Sequence, residues 1–205
     1  MKRKKLGLIL ECGPEGADKK VCEHVVRRIA PKVEVVSITL GNKPNLVEQC
    51  GESAAQLFSD GCERVVIVWD LYPPWRDQKP CRHEDRENIA RSLANARIAT
   101  AEVYLVCIEE ELEAWLLADG RALSHVLSRP AHPVTIRHTR RVHQVRSPKT
   151  RLNQMFQEHS HRPYVDRIHA EQIIAALLDF SQLRRCETFA RFVLKATGIV
   201  IDDVL

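Results

Sequence analysis

The sequence lacks several features that would define common classes of protein. It has no apolar run near the roughly 18 residues that a membrane-spanning helix requires, so we expect no membrane partner. Its seven cysteines form no Cys-x-x-Cys pair, and their odd number is not typical of a disulfide framework. We therefore expect a protein of the reducing cytoplasm. A Gly-x-Ser-x-Gly motif is also missing, which argues against a serine hydrolase of the α/β type.

The bulk composition is that of a globular protein. The chain has 205 residues, 44% of them hydrophobic and 28% charged, with a formal net charge of +4. This length fits one domain or one domain with a small appendage. The opening MKRKKLGLILE is not typical of a signal peptide, because its apolar stretch is short and an acid follows it directly.

Apolar strand patterns alternate with amphipathic helix patterns in the first part of the chain. The pattern predicts strands over 6–11, 33–39, 64–69 and 102–108. Helices are predicted over 18–30, 45–60, 85–96 and 110–118, and again over 148–158, 169–179 and 182–196. This alternation predicts an α/β fold with a four-stranded, mostly parallel sheet flanked by helices. We place the α/β domain at 1–128 and a basic loop with a helical extension packed on it at 129–205.

Carboxylates follow three of the predicted strands. Glu11 follows LGLIL, Asp70 follows RVVIVW, and VYLVCI leads directly into Glu109, Glu110 and Glu111. The carboxyl ends of parallel strands share one edge of a sheet, and ligands bind there. Within the third group, Glu113 lies three and four residues after Glu110 and Glu109, so either pair can share a helix face. Hard oxygen ligands favour Mg²⁺ or Mn²⁺ over zinc, so we predict a divalent-metal site at this edge.

Each of these acids also has a plainer interpretation. Glu11 could pair locally with Lys19 or Lys20. Asp70 could cap the turn that follows its strand. Acids in the first turn of a helix are favoured by the helix dipole, which accounts for several of the residues from 109 to 113.

A basic segment lies in the second part of the chain. Residues 137–151 read RHTRRVHQVRSPKTR, with no acid among them. They form either a solvated loop or an arm whose Arg140, Arg141, Arg146 and Lys149 contact phosphates beside the acidic site.

Other motifs are weaker. Cys81, His83, His138 and His143 are zinc-ligand types, but their spacing matches no standard site. The loop GPEGADKK has the glycines of a phosphate cradle without the P-loop spacing. The Pro-rich stretch LYPPWRDQKPCRHED is long for a connector and predicts a functional loop or lid.

Taken together, these segments resemble Toprim-like domains, in particular small stand-alone bacterial proteins related to OLD-family nucleases. The resemblance is carried by ECGPEGAD, VVIVWD and IEEELEAWLLAD, and by the later SPKTRLNQMF and RRCETFARFV. It implies a Toprim fold and a Mg²⁺ site linked to nucleic-acid cleavage, with Glu11 as general acid/base, Asp18 as a second acid of the same turn, and Asp70 as metal ligand. The family has Asp-x-Asp after its third strand, whereas this chain has Asp70-Leu71-Tyr72. Glu110 or Glu113 would compensate for the absent acid.

The leading hypothesis is therefore a metal-dependent nuclease, or the nuclease subunit of an ATPase–nuclease pair. The resemblance implies an ATPase partner and a role in defence against phage, and we favour DNA over RNA as the substrate. The absence of the second Asp favours a different hypothesis, a catalytically inactive interaction module. A third hypothesis is a nucleotide-binding phosphotransfer enzyme that uses GPEGADKK. A homodimer is compatible with all three.

Overall fold

The computed structural model describes residues 4–72, 81–109 and 111–201. Four parallel strands form one sheet in the order β2-β1-β3-β4. The strands are β1 Lys5–Leu10, β2 Glu34–Thr39, β3 Arg64–Asp70 and β4 Val103–Ile108. The first helices are α1 Ala17–Ile29, α2 Lys43–Ser59, α3 Arg82–Asn95 and α4 Glu113–Leu117. They are followed by α5 Gly120–Leu127, α6 Pro148–Ser160, α7 Asp166–Ala175 and α8 Glu187–Thr197. The predicted α/β class, parallel sheet and C-terminal helical extension are confirmed.

The two faces of the sheet bury different sets of helices. One face, which includes Leu8 and Val66, packs with α1 and the C-terminal helices into a single large core. The other face, which includes Ile9 and Ile67, packs against α2 and α3. Because β1 and β3 are covered on both sides, their sequences are continuously apolar. Helices on both sides of the boundary near residue 128 share the first core, and the division into two domains stays a prediction.

The segment after β4 differs from the predicted single helix. Helix α4 has only five residues, and a second helix, α5, begins at Gly120. The cause is Asp119, whose fully buried carboxylate accepts hydrogen bonds from the backbone of Arg121 and Ala122 and so starts a new helix. The predicted helix over 182–196 is likewise shorter, because a 3-10 turn at Leu183–Arg185 precedes α8.

Two predicted helix ends are confirmed at glycines. Gly61 and Gly198 lie just after α2 and α8 with φ angles of 85° and 75°. These left-handed conformations are available to glycine at little cost. Among the described residues, no helix has both the length and the apolar character that crossing a bilayer requires.

Candidate active site

Four carboxylates from separate elements meet at the carboxyl edge of the sheet. Glu11 directly follows β1, Asp70 is the last residue of β3, Asp18 lies in the first turn of α1, and Glu113 is the first residue of α4. Strands β1 and β3 are neighbours, with Leu10 opposite Val68, so both strand ends arrive at the same place. We refer to Glu11, Asp18, Asp70 and Glu113 as the acidic cluster.

Two oxygens of the acidic cluster are buried without hydrogen bonds. Glu11 Oε2 and Asp70 Oδ1 have no partner within the described residues. The other oxygen of Asp70 accepts the backbone N–H of Leu112 at 3.3 Å. Buried polar atoms in proteins are nearly always satisfied, so two orphaned acceptors at the ends of neighbouring strands indicate a site for a cation or a hydrogen-bond donor.

Burial and mutual repulsion raise the proton affinity of the two strand-end acids. Burial raises the pKa of Asp70 well above its usual value, and Asp18, Glu11 and Glu113 add to the rise. Burial likewise raises the pKa of Glu11 to about 8, partly opposed by the positive charge of Lys43. The interactions that shift these groups connect all four members of the cluster, which therefore behaves as one electrostatic unit.

The two helix-borne acids show the same perturbation. Burial raises the pKa of Glu113 to about 7, and the side chain is only 5% exposed. Its Oε1 lies 3.4 Å from the hydroxyl of Tyr164, which donates to it. Burial also raises the pKa of Asp18, against the stabilising effect of the backbone N–H at its own position and of Cys12. Perturbed carboxylates at the edge of a sheet are typical of functional sites.

Lys149 is a predicted phosphate contact that the fold brings to the cluster. Its ammonium bonds to Asp166 Oδ2 at 2.6 Å, and its backbone N–H donates to Glu111 Oε2 at 2.8 Å. Burial opposes its charge, but Asp166, Glu113 and Glu111 together raise the pKa of Lys149. Its positive charge in turn helps to keep Glu113 and Asp18 ionised.

The donor set suits a hard cation, although the side chains do not form a complete metal site as they stand. Within 4–72, 81–109 and 111–201, no group of three or more His, Cys, Asp or Glu side chains has the arrangement needed to hold a metal ion. Magnesium, however, is usually bound by one or two carboxylates, with water and substrate phosphates completing its shell. Asp70, which has an orphaned oxygen, and Glu113, whose side chain is almost fully buried, fit that requirement.

Other predicted site residues lie elsewhere. Glu109 is half-exposed and pairs with Arg82 at 2.7 Å and with Arg191 at 3.9 Å. Its assignment as a metal ligand finds no support in these contacts, because two arginines already neutralise its charge. Glu110 lies outside the described residues, as does most of the Pro-rich loop. The remaining predicted phosphate contacts are exposed on the surface: Arg140, Arg141 and Arg146.

The plainer interpretation of Glu11 is wrong. Lys19 donates to the carbonyl of Pro14, and Lys20 pairs with Glu15 and Glu171 instead. Asp70 accepts the N–H of Leu112, the residue before α4, and so links the end of β3 to the start of that helix. The acids at the ends of β1 and β3 therefore belong to the acidic cluster.

The zinc alternative also finds no support. His83 pairs with Glu87 on its own helix, and His138 Nδ1 accepts the backbone N–H of Gly120. Cys81 and His143 are exposed and do not join them in a metal-holding group among the described residues.

Several residues of the site were not predicted. Lys43, 5% exposed at the start of α2, lies near Glu11, and Asp85, 3% exposed, accepts the indole N–H of Trp69 at 3.1 Å. Tyr164, whose hydroxyl donates to Glu113, is a third residue outside the predicted set. The signal that could have found Lys43 is its position: it follows β2 at the same sheet edge and opens a helix, where a cation is unfavourable.

The fold and the cluster define the class: an α/β protein with a buried carboxylate site at the carboxyl edge of a parallel sheet. Residues 15–195 match the family model described as a domain of unknown function, DUF4276, and the chain belongs to that family. The matched region includes Asp18, Asp70, Glu113 and Lys149 and begins after Glu11. Comparisons with curated proteins and with solved structures give no match.

Proposed function

We propose that this protein is a divalent-metal-dependent nuclease, or the nuclease subunit of an ATPase–nuclease pair, that hydrolyses phosphodiester bonds in nucleic acid. The observation that carries the proposal is the pair of buried, unpartnered oxygens on Glu11 and Asp70, at the ends of two adjacent central strands. A protein retains such a pair at a cost in stability, which is reasonable where a bound cation and a substrate complete the site.

The residues divide into two roles. Asp70 and Glu113 are the groups that would hold Mg²⁺ or Mn²⁺, and the charge of Asp18 acts on both of them. When bound, the cation would supply positive charge that stabilises the phosphoryl group in the transition state. Glu11 is the proton-transfer group, because a carboxyl with a pKa of about 8 exchanges protons near neutral pH.

The reaction consumes one water for each bond cut. The water oxygen adds to phosphorus, the bond from phosphorus to one sugar oxygen breaks, and that sugar oxygen takes up a proton. Glu11 would receive the proton of the attacking water or deliver one to the leaving oxygen. Lys149 and the exposed Arg140, Arg141 and Arg146 would hold the flanking phosphates.

The Toprim resemblance supports the same proposal independently of the electrostatics. In this chain the acids after β1 and β3 and the acid that opens α4 stand at the positions that such a nuclease would use. By that resemblance the substrate is nucleic acid, the cation is Mg²⁺ or Mn²⁺, and the protein acts beside an ATPase partner in phage defence. We favour DNA over RNA, and the cysteine pattern favours the cytoplasm.

The test is a cleavage assay with matched variants. Supercoiled plasmid, single-stranded DNA and RNA are incubated with the purified chain in Mg²⁺, in Mn²⁺ and in EDTA. We expect metal-dependent cleavage that falls by about 10²-fold or more in Glu11→Gln and in Asp70→Asn. Glu52→Gln, an exposed substitution on α2, is the control and keeps full activity. Cleavage at the same rate in Asp70→Asn and the parent chain would contradict the proposal.

A second candidate is an interaction module without catalytic activity. It is favoured by Leu71 and Tyr72, which stand where a second acid would follow Asp70, and by the incomplete metal geometry of the described residues. No cleavage of any of the three substrates, together with no change in melting temperature on adding Mg²⁺ or Mn²⁺, would favour this candidate. Binding of ATP or GTP without nucleic acid would instead indicate a phosphotransfer enzyme.

A further inference from the structure

A buried lysine stands beside the acidic cluster. Lys43 is the first residue of α2, and its side chain is 5% exposed. Its ammonium donates to the carbonyl oxygen of Leu71 at 2.8 Å and lies 3.9 Å from Asp85 Oδ2. Leu71 directly follows Asp70, and Lys43 is the cation with the largest effect on Glu11. Its positive charge is therefore held at the end of β3, one residue after Asp70, and it acts on Glu11.

The surroundings of Lys43 hold it in one position. Asp85 is 3% exposed and accepts the indole N–H of Trp69 at 3.1 Å. Trp69 is itself buried in β3. The position of the Lys43 ammonium is thus fixed by β3, by α3 and by the carbonyl of Leu71.

Helix energetics do not account for a lysine here. The amino end of a helix carries a partial positive charge and favours anions, and the first turn of α2 contains no acid. Burying an ammonium is also expensive. Asp85 and the carbonyl of Leu71 offset part of this cost, and they hold the ammonium beside the residue that follows Asp70. Such a position is well explained by an effect of the charge on what binds at the acidic cluster.

We propose that Lys43 is a built-in cation of the active site, so that the site binds one divalent metal ion and Lys43 supplies the second positive charge. This inference rests on the proposed nuclease function. The ammonium would face the non-bridging oxygens of the phosphate that reacts, where negative charge increases in the transition state. Tyr72, which is 43% exposed, stands two residues after Asp70, at the position where a further carboxylate would be needed to hold a second metal ion.

Replacing Lys43 should change the affinity for metal and the rate of cleavage in opposite directions. Removing a fixed positive charge from an acidic pocket reduces repulsion of Mn²⁺, so affinity for the ion should rise. The same change removes stabilisation of the transition state, so cleavage should slow. A lysine with only a structural role would lower both together.

The experiment counts Mn²⁺ and measures cleavage on the same preparations. Equilibrium dialysis with electron paramagnetic resonance detection gives stoichiometry and Kd for the parent chain, Lys43→Met and Lys43→Arg. Lys195→Met is the control, because Lys195 also donates to a strand carbonyl, that of Leu105 at 2.9 Å. Thermal melting without metal shows whether each variant folds.

We expect one Mn²⁺ per parent chain. In Lys43→Met, Mn²⁺ should bind about tenfold more tightly, equivalent to about 1.4 kcal/mol, while cleavage falls by about 10²-fold. Lys43→Arg should retain more activity than Lys43→Met, and Lys195→Met should match the parent in both measurements.

Three results would overturn the inference. They are two Mn²⁺ per parent chain, unchanged cleavage in Lys43→Met, or a parallel loss of affinity and cleavage in a folded Lys43→Met. If Lys43→Met does not fold, the number of Mn²⁺ bound per parent chain still tests the inference. No Mn²⁺ bound and no cleavage by the parent chain would instead be a failure of the proposed function itself.

Discussion

Replacing Glu11 by glutamine should stabilise the metal-free protein at neutral pH. In the native state the pKa of Glu11 rises from 4.5 to about 8, first because the carboxyl is buried and then because Asp18 repels its charge. In the unfolded chain the group ionises near pH 4.5. Between those two values the unfolded state releases a proton that the native state keeps, so folding becomes less favourable as pH rises.

The sign and size of the effect follow from this difference. Glu11 does not reduce the stability of the native state below pH 4.5. Above that value it reduces the free energy of unfolding progressively, up to about pH 8. Each pH unit in that window is worth about 1.4 kcal/mol, so Glu11 lowers the free energy of unfolding by at most about 3 kcal/mol at pH 7. Glutamine has nearly the same shape as the Glu11 side chain and does not titrate. For a chain of this size about 3 kcal/mol corresponds to a rise in melting temperature of roughly 6 to 12 °C.

The assay is thermal unfolding in EDTA at pH 5, 7 and 8.5. The parent chain should lose stability across this series, whereas Glu11→Gln should lose less, so the gap between them widens with pH. Glu52→Gln, exposed on α2, is the control and should follow the parent chain. A Glu11→Gln protein that melts at or below the parent temperature at pH 7 and 8.5 would refute the reasoning.

Two further predictions concern packing and phosphate binding. A methyl group on Gly51 would collide with the carbonyl oxygen of Ser92 where α2 crosses α3, so Gly51→Ala should lower the free energy of unfolding by about 1–3 kcal/mol in chemical denaturation. Gly13→Ala adds its methyl to open space and should change it much less. Lys149→Met should reduce the slope of log affinity against log salt for duplex DNA by about 0.9, measured by fluorescence anisotropy, because one phosphate contact is lost. An unchanged slope would exclude Lys149 from the nucleic-acid interface.

The strand ends of the site were predictable from the sequence. LGLIL and RVVIVW are continuous apolar runs because β1 and β3 are covered on both faces, and the acids that terminate them mark the edge of the sheet. Right-handed crossovers predict a parallel sheet with both acids at one edge. The strand order that makes β1 and β3 neighbours, and so brings Glu11 close to Asp70, is a finding of the structure.

The rest of the site depends on tertiary packing. Lys43, Asp85 and Tyr164 come from a helix start, a helix interior and a loop, and no local pattern distinguishes them from ordinary polar residues. The pairing of Glu109 with Arg82 could not be foreseen, because the two residues are 27 positions apart and meet only in the folded protein. The start of α5 was missed because its cap, Asp119, was interpreted as the end of one helix and not as the beginning of another.

The central claim is that the acidic cluster binds a divalent cation, and a metal titration of the parent chain and Asp70→Asn tests it most directly. With Mn²⁺ at about 100 times its Kd, binding adds about 2.7 kcal/mol of stability, so the parent chain should melt roughly 5 to 10 °C higher than in EDTA. Asp70→Asn keeps an acceptor for the N–H of Leu112 but loses the orphaned charge, and its melting temperature should not respond to Mn²⁺. An equal rise in both proteins, or none in the parent chain at any Mn²⁺ concentration, would contradict the account.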